Sequence, residues 1–592
     1  MKWMFENGKR RLTLLFAVAT VVAVAENSFV EDRIFPNAGG DLADGTAWGG
    51  MVPNAADLVK INLPGDYMLS DNVTFKALNV TVGGCTFSLG NYGMTLANAS
   101  EYGIRVEAAA NARTVFSGGV YNLSGTAECE AARAGLGLNT VFTDNCIITN
   151  ANKFYAGRYG SGAKTEIADG AKIYAATACI SYETSSREHA LEIYGGGCLH
   201  ASADFYSDNG TDGAYGGNSL FVHGIGSSVS FTGSNQVRLG FKQHSNSYRF
   251  SDGASFTSEN GGMALGWFPD AASNTLSVTG GAMARLGKVH YRTRGNRITV
   301  SNATFTCTSE FAMSYSAHAS NNLFRAYGPD TSLTLPAGDI FCSRTMTNRC
   351  NTFSLEGGVK WDCGRRNSML ARSHHSAFRL AGAGTVLYGT NDWFYIGDKD
   401  YAPTMSSISN CFAVLDGAVF NATWVPVMGV ANKVCVSNAT VNIANNGTRG
   451  LHVGYGMNSP STTNCLLVLQ GTEPRVAIST TSNNDSCKFD NGATLRFEIP
   501  EEGYARNFIP LTMTGPLVFS EKGTRLEIDC GKFVEHTGGK LNLIRAKKID
   551  STTQGILRAC ASTLPETCTL TVTDTDVYIK SPRKTGFIIS IF

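Results

Sequence analysis

The densest group of side chains able to bind an anion lies between residues 290 and 297 of this 592-residue chain. It consists of His290, Tyr291, Arg292, Arg294 and Arg297. An arginine guanidinium presents N–H donors in a plane that matches a carboxylate, so the cluster is a candidate site for an acidic sugar. The alternative is a corner between two strands whose basic side chains are solvated. These five residues are the binding candidates that the sequence supplies.

The carboxylates of the repeated pattern are placed to turn the chain rather than to catalyse. Glycoside hydrolysis needs two carboxyl groups that flank one bond. Asp169, Asp252, Asp416 and Asp490 instead stand in turns that contain glycine or asparagine, where an aspartate side chain bonds the turn backbone. The sequence therefore identifies no catalytic residue.

Two adjacent histidines, His374 and His375, are the most obvious metal-binding pair. Neighbouring residues on a strand point to opposite faces, so the two rings are poorly placed to share one ion. The sequence also lacks a CxxC pair, a phosphate-binding loop, a dinucleotide fingerprint and an EF-hand loop. We therefore expect neither a metal nor a cofactor.

A recurring turn motif indicates which elements position these side chains. It consists of an apolar residue, three turn residues and a small apolar residue. Glycine, asparagine and aspartate tolerate the left-handed backbone of a sharp corner, and the residue after the corner is small because it packs inward. The motif occurs at residues 167–171, 250–254, 278–282, 355–359, 414–418 and 489–493, with a shorter Ser-Asn form at 300–303 and 436–439.

The spacing of these motifs predicts a solenoid. Successive motifs lie close to whole multiples of 21 to 28 residues apart, and within residues 273–309 alternate positions are apolar, as in strands. A third run that ends in glycine recurs at residues 237–240, 263–266, 284–287, 394–397 and 451–454. We therefore predict an all-β, right-handed parallel β-helix with three-strand coils of about 21–28 residues and terminal caps.

The chain divides into four predicted segments. Residues 1–25 combine basic residues, an apolar run and Ala-Val-Ala, which is typical of a cleaved signal peptide; the alternative is an uncleaved membrane anchor. Residues 26–130 are the N-terminal cap and first coils, 131–498 the parallel β-helix, and 499–592 the last coils and C-terminal cap. Residues 128–138 favour a local helical turn, and residues 584–592 a capping strand or a sorting signal.

Charge and hydropathy bear on the partners of the chain. The formal net charge of +1 gives no bulk attraction to nucleic acid, so we expect no nucleic-acid partner. Beyond residue 25 the sequence has no apolar run long enough to span a membrane as a helix. We therefore expect an exported chain, secreted or at the cell surface, with no spanning segment in its mature part.

Export would permit disulfide bonds among the 16 cysteines. Cys411, Cys435, Cys465 and Cys487 fall in predicted strands, which favours buried thiols stacked from coil to coil. The alternative is disulfide pairing of cysteines that flank loops, namely Cys342, Cys350 and Cys363, or Cys560 and Cys568.

The repeated unit carries a resemblance to a known class of proteins. Its form, Asn-x-apolar-x-apolar followed by Gly-Gly-Ala through about residues 139–498, resembles the right-handed β-helix passengers of secreted bacterial autotransporters. The opening from Trp48-Gly-Gly to Asp57-Leu-Val-Lys-Ile is similar to the N-termini of large bacterial secreted repeat proteins. This resemblance implies a structural or adhesin-like repeat protein, and its motif contains no catalytic residue.

Two functions remain open at this point. The first is a secreted or cell-surface, adhesin-like β-solenoid that presents an extended surface to glycans or other cell-surface polymers without catalysis. The alternative is a polysaccharide-degrading β-helix enzyme, either a lyase or a glycoside hydrolase. A cluster of carboxylates with arginine or lysine on stacked positions of one face would distinguish the second from the first.

Overall fold

A computed structural model gives the fold. The structure describes residues 32–97, 102–124, 126–133, 137–183, 185–209, 214–313, 315–316, 318–335, 349–363, 367–370, 373–397, 407–445, 449–456, 462–481, 486–520 and 523–582. The predicted signal peptide (residues 1–25) and C-terminal tail (residues 584–592) lie outside these ranges, so both stay predictions.

The described residues are mostly short strands. The first strands are β1 Asp32–Ile34, β2 Gly40–Asp41, β3 Leu58–Ile61, β4 Gly65–Met68, β5 Val73–Phe75, β6 Ala77–Val80, β7 Cys85–Leu96, β8 Tyr102–Val106, β9 Arg113–Leu123, β10 Glu128–Glu130, β11 Asn139–Thr143, β12 Ile147–Gly157, β13 Lys164–Ile167, β14 Lys172–Ser181, β15 Ala190–Ile193 and β16 Cys198–Asp208.

The strands of the middle coils are β17 Ser219–His223, β18 Ser228–Phe231, β19 Val237–Leu239, β20 Ser247–Ser251, β21 Ser255–Ser258, β22 Met263–Leu265, β23 Thr275–Thr279, β24 Met283–Tyr291, β25 Arg297–Ser301, β26 Thr304–Ala312, β27 Leu323–Tyr327, β28 Ser332–Thr334, β29 Thr352–Glu356, β30 Lys360–Asp362, β31 Asn367–Met369, β32 Ala377–Ala381 and β33 Val386–Ile396.

The last strands are β34 Cys411–Leu415, β35 Val419–Val427, β36 Lys433–Ser437, β37 Thr440–Asn445, β38 Leu451–Val453, β39 Leu466–Gln470, β40 Arg475–Thr480, β41 Cys487–Phe489, β42 Thr494–Glu498, β43 Leu511–Met513, β44 Pro516–Phe519, β45 Arg525–Asp529, β46 Gly539–Arg545, β47 Lys548–Ile549, β48 Thr569–Val572 and β49 Asp576–Ser581. The helices are two α-helices, α1 Gly531–His536 and α2 Ser551–Ala559, and two 3₁₀ turns, Gly45–Trp48 and Cys560–Thr563.

These strands stack in parallel as three faces of a coil. Sheet A contains β2, β4, β11, β13, β15, β17, β20, β23, β25, β27, β29, β32, β34, β36, β39, β42, β45 and the starts of β7 and β9. Sheet B contains β5, β18, β21, β28, β30, β37, β40, β43, β46, the ends of β7 and β9 and the starts of β12, β14, β16, β24, β26, β33 and β35. Sheet C contains β1, β3, β6, β8, β10, β19, β22, β31, β38, β41, β44 and β47. It also contains the ends of β12, β14, β16, β24, β26, β33 and β35.

The prediction of an all-β parallel β-helix is therefore confirmed. Every strand pair that stacks coil on coil is parallel except at the C-terminal end, where β49 runs antiparallel to both β46 and β48. Next to the predicted boundary at residue 130, β10 pairs with both β8 and β12, with a register shift against β8 between Glu128 and Cys129.

A ladder of buried polar side chains holds successive coils in register. At the residue just before ten successive sheet A strands, from β15 to β36, a side-chain atom accepts the backbone N–H of the equivalent residue one coil earlier, at 2.9–3.2 Å. The members are His189, Asn218, Asn246, Asn274, Asn296, Asn322, Asn351, Ser376, Asn410 and Asn432, and none is more than 2% exposed.

The spacing of the ladder residues gives the number of residues in each coil. From residue 274 to residue 296 a coil takes 22 residues, whereas from residue 376 to residue 410 it takes 34. The range is wider than the predicted 21–28 because extra residues are accommodated at corners, which tolerate insertions better than strands do.

The corner between sheets A and B follows the predicted turn chemistry. Asp169, Asp252 and Asp416 all adopt left-handed backbone, with φ of 47°, 56° and 53°. The matching motif at residues 489–493 differs, since it joins β41 of sheet C to β42 of sheet A and its left-handed residue is Asn491 rather than Asp490.

Inside the coils, aromatic rings stack along the axis. Phe324, Phe353, Phe378 and Phe412 form one such column, with ring centroids 4.7, 4.8 and 5.4 Å apart. In these four coils phenylalanine occupies the same register position, and Ile298 and Val434 occupy it in the coils before and after.

Candidate binding surface

Sheet C carries one registered row of side chains on its outer face. From β8 to β26 the row is Arg105, Glu130, Tyr155, Cys179, Tyr206, Arg238, Ala264, His290 and Ala312. Along each strand the neighbours of these residues belong to the core, for example Phe154 and Phe205. Because strand side chains alternate, the row faces outward.

The N-terminal half of this row is electrically balanced by its own residues. The fully buried carboxylate of Glu130 accepts hydrogen bonds from Arg105, at 2.7 Å, and from Arg158. Arg158 also donates to Glu128 at 2.9 Å. A buried charge is tolerated only when it is paired, and pairing leaves these groups with little capacity for a further ligand.

His290 occupies the row further along and is neutral. Its side chain is 3% exposed, and Gln236 Nε2 lies 3.0 Å from its Nδ1. Since an amide N–H can only donate, the ring proton is on Nε2. That atom lies 3.1 Å from Glu310 Oε2 without the geometry of a hydrogen bond. Burial lowers the pKa of His290 to about 4, although the Glu310 carboxylate opposes this shift.

Beside the row, aromatic rings and arginines alternate in what we call the arginine column, formed by Tyr206, Arg238, Trp267, Arg292 and Tyr315. The Arg238 guanidinium carbon lies 4.8 Å from the Tyr206 ring centroid and 4.7 Å from that of Trp267. The Arg292 carbon lies 3.6 Å from Trp267 and 4.8 Å from Tyr315. These distances are within the range of cation–π attraction.

A second aromatic cluster lies further along the outer face of sheet C. Tyr395, Trp424, Met428 and Tyr455 pack together apart from the main core. The Arg449 guanidinium carbon is 5.1 Å from the Trp424 ring, and its Nη1 donates to the Tyr455 hydroxyl at 3.1 Å. The same combination of tryptophan, arginine and tyrosine therefore occurs twice on this sheet.

The five predicted binding residues do not form one site. His290 and Arg292 lie on the outer side of sheet C, whereas the Tyr291 side chain is fully buried in the core. Arg294 is exposed on the corner, and Arg297 is exposed at the start of β25 in sheet A. The segment is thus the end of a sheet C strand followed by a corner, not a corner alone.

The sequence placed His290 and Tyr291 on a corner because one of the glycine-ended runs lies on a different sheet from the others. Four of the five predicted third runs lie on sheet C, but residues 284–287 pair with β21 and belong to sheet B. The third strand of that coil is residues 289–291 of the same long strand. The bend between them falls at Gly287, and a run that ends in Leu-Gly looks the same in the sequence whether it lies on sheet B or on sheet C.

Other acidic and histidine residues of interest also lie apart from this site. Asp362 belongs to β30 on sheet B, and His375 has left-handed backbone, φ 52°, at the corner before β32. Of Glu310, Asp362 and His375, only Glu310 lies on sheet C with His290 and Arg292. Sequence reasoning missed Tyr206, Arg238, Trp267 and Tyr315; the signal for Arg238 was its place between the two apolar residues of a third run.

Two further expectations need correction. Residues 128–130 form strand β10 rather than a helical turn, because their register with β8 and β12 continues sheet C. No described cysteine forms a disulfide with another described cysteine, and their registered partners on adjacent coils are other residue types. Most of these thiols are buried, but they do not stack upon one another, and Cys342 lies outside the described residues.

Comparison with known proteins supplies no relative. No family model, curated protein or solved structure matches the chain. Among the described residues there is no cluster of three or more potential metal ligands and no helix of the length and hydropathy needed to cross a membrane.

Proposed function

We propose that this protein is an exported β-solenoid, secreted or held at the cell surface, that binds glycans or similar surface polymers along sheet C without catalysis. The observation that supports the proposal is the run of arginines and aromatic rings that follows the outer face of this sheet over successive coils. An extended polymer would meet arginines and aromatic rings on several coils, so weak contacts would add along its length.

The carboxylates of sheet C favour binding over catalysis. Glu128 and Glu130 are paired with Arg158, and Asp208 is fully buried and accepts backbone N–H groups of Lys242 and Gln243 at 2.6 and 2.8 Å. A catalytic acid or base must reach a substrate atom, and these carboxylates are already occupied.

Affinity electrophoresis through gels containing pectin, alginate, a glycosaminoglycan or dextran tests the proposal. We expect retardation by at least one polymer, and a loss of most of that retardation in Trp267→Ala. The matched control is Tyr174→Ala, which removes a 40% exposed ring from sheet B. Retardation by none of the polymers contradicts the proposal. Release of shortened chains from any of them would instead support the polysaccharide-degrading alternative.

A further inference from the structure

The arginine column differs from the rest of sheet C in its charge balance. The nearest carboxylate to Arg238 in an ion pair is Asp204, at a long 3.8 Å, and no described carboxylate forms an ion pair with Arg292. In the N-terminal half of the sheet, by contrast, Arg158 contacts two carboxylates. The column therefore holds positive charge that the described residues do not neutralise.

The donors of the column are also incompletely used. The Nε atoms of Arg238 and Arg292 are both buried and have no hydrogen-bond partner. Buried donors are nearly always satisfied, so unsatisfied Nε–H groups on both arginines that contact Trp267 point to a missing acceptor. The guanidinium carbons lie over the rings of Tyr206, Trp267 and Tyr315, and the unpartnered Nε–H groups are the donors that would bind this acceptor.

The charged groups near Arg292 indicate that the missing acceptor is an anion. Burial lowers the pKa of Arg292, yet a guanidinium stays protonated at neutral pH. Glu310 is an acidic residue of this face, and its Oε2 lies 3.1 Å from His290 Nε2 rather than in an ion pair with Arg292. An anion beside Arg292 would therefore relieve an unpaired, half-buried cation.

We propose that the arginine column is a subsite for the carboxylate of an acidic sugar, so that the polymer recognised along sheet C is a polyuronate. This inference rests on the proposed glycan-binding function. A planar carboxylate accepts two parallel hydrogen bonds from a guanidinium edge, which a hydroxyl of a neutral sugar cannot do. The stacked rings hold each edge in one orientation before the ligand arrives, which lowers the ordering cost of binding.

The test compares four polymers on the full chain by affinity electrophoresis: polygalacturonate, its methyl ester, dextran sulfate and dextran. We expect polygalacturonate to bind at least tenfold more tightly than its methyl ester, because esterification removes the charge while keeping the sugar. Added salt should weaken this binding. The comparison uses the unaltered protein, so it does not depend on whether a variant folds.

Variants then assign the binding to the column. Arg292→Gln should lose tenfold or more in affinity for polygalacturonate, and Arg292→Lys should recover only part, because an ammonium is not a planar fork. The control is Arg325→Gln on sheet A, where the arginine lies 4.7 Å from the Tyr327 ring but is already paired with Glu356 at 2.6 Å. Circular dichroism and thermal midpoints check that each variant is folded.

The outcomes separate this proposal from the one on which it rests. Equal binding of acid and ester, or unchanged binding by a folded Arg292→Gln, overturns the carboxylate subsite and leaves glycan binding standing. Tighter binding of dextran sulfate that Arg292→Lys retains in full overturns the choice of carboxylate over sulfate. If the unaltered protein binds none of the four polymers or those of the earlier panel, the glycan-binding function itself is contradicted.

Discussion

At the scale of single residues, a buried asparagine side chain hydrogen-bonds one coil to the next and so fixes their register. Asn296 shows how it works: its Oδ1 accepts the backbone N–H of Asn274 at 2.9 Å, and its Nδ2 donates to the carbonyl of Thr293 at 3.0 Å. A corner without strand partners would leave those backbone groups buried and unpaired, at a cost of about 1–3 kcal/mol each. One side chain supplies both a donor and an acceptor, which is why asparagine recurs there.

The ladder begins with a residue that can titrate. His189 is fully buried, its Nδ1 accepts the backbone N–H of Ala163 at 3.2 Å, and its Nε2 lies 2.8 Å from Ser186 Oγ. Burial lowers the pKa of His189 to about 4. Protonation of Nδ1 would turn this acceptor into a second donor facing an N–H group, so acid should weaken the first step of the ladder.

We therefore predict a pH effect that His189→Asn removes. With a folded pKa of about 4 against 6.5 in the unfolded chain, the unfolded state binds more protons between those values. The stabilisation is complete above pH 6.5 and is lost as the pH falls toward 4, amounting to roughly 2–3 kcal/mol. Urea unfolding at pH 7 and pH 4.5 should show a smaller loss in His189→Asn than in the unaltered protein.

The control for this effect is His244→Asn, a partly exposed histidine whose Nδ1 lies 2.9 Å from Ser245 Oγ. It should keep the pH dependence of the unaltered protein. The prediction is wrong if His189→Asn loses as much free energy of unfolding on acidification as that control does.

At the scale of elements, the C-terminal cap closes the stack with a change of strand direction. Strand β49 pairs antiparallel with β46 and with β48, so the growing parallel edge of sheet B ends. Helix α1 follows β45 directly, and Cys530, just before it, lies with its Sγ 4.0 Å from that of Cys568, which precedes β48. The two thiols join the last sheet A strand to the cap.

We predict that an oxidised low-molecular-weight disulfide, such as oxidised glutathione, links Cys530 to Cys568. Each cross-link forms one S–S bond and breaks that of the reagent, which takes up two electrons and the two thiol protons and leaves as two thiols. Burial raises the pKa of Cys530 to about 12, so the more exposed Cys568 supplies the attacking thiolate. Closing this loop should stabilise the protein by roughly 3–4 kcal/mol.

Peptide mapping of the oxidised protein measures which cysteines are joined. Cys560→Ser should still form the link and gain stability, whereas Cys568→Ser should not. A linked peptide containing Cys560 and Cys568 would instead support the pairing inferred from their positions beside loops in the sequence.

Corners and long strands differ in how well their structure could be predicted from the sequence. The turns with Asp169, Asp252 and Asp416 were predictable because left-handed backbone restricts the residue type. The bend inside β24 was not, although it falls at Gly287, where an added Cβ would lie 2.0 Å from the Glu259 carbonyl oxygen. The Leu-Gly ending of residues 284–287 matched the endings of runs on sheet C, so the sequence interpretation put His290 and Tyr291 on a corner.

The arginine column was hidden from the sequence for a related reason. Its members come from successive coils and lie 23 to 32 residues apart in the chain, so their contact depends on the varying lengths of those coils. Composition favours surface exposure for an isolated Arg292. Only the stacked register brings Trp267 beside it.

At the scale of the whole molecule, the chain is a stack in which each coil contacts mainly the coils before and after it. Stability in such a stack is close to a sum of coil and interface contributions. A coil whose two ends occupy equivalent ladder positions is then a removable unit. Asn410 and Asn432 are such ends, and the residues before them, Ser409 and Ala431, have the same φ of 53°.

We predict that deletion of residues 410–431 leaves a folded protein, because the new junction of Ser409 with Asn432 reproduces both the left-handed residue and the ladder residue of the original corner. The deletion removes β34 and β35, with Trp424 and Met428 of the second aromatic cluster, and keeps the arginine column. Deletion of residues 410–420 is the matched comparison, since it ends within β35 and would place a sheet B strand on sheet A. We expect the first deletion to give a soluble monomer that has a β-type circular dichroism spectrum and still binds polygalacturonate through the arginine column, and the second to give aggregation. Equal tolerance of both deletions, or equal loss of folding, would show that the coils are not interchangeable units in register.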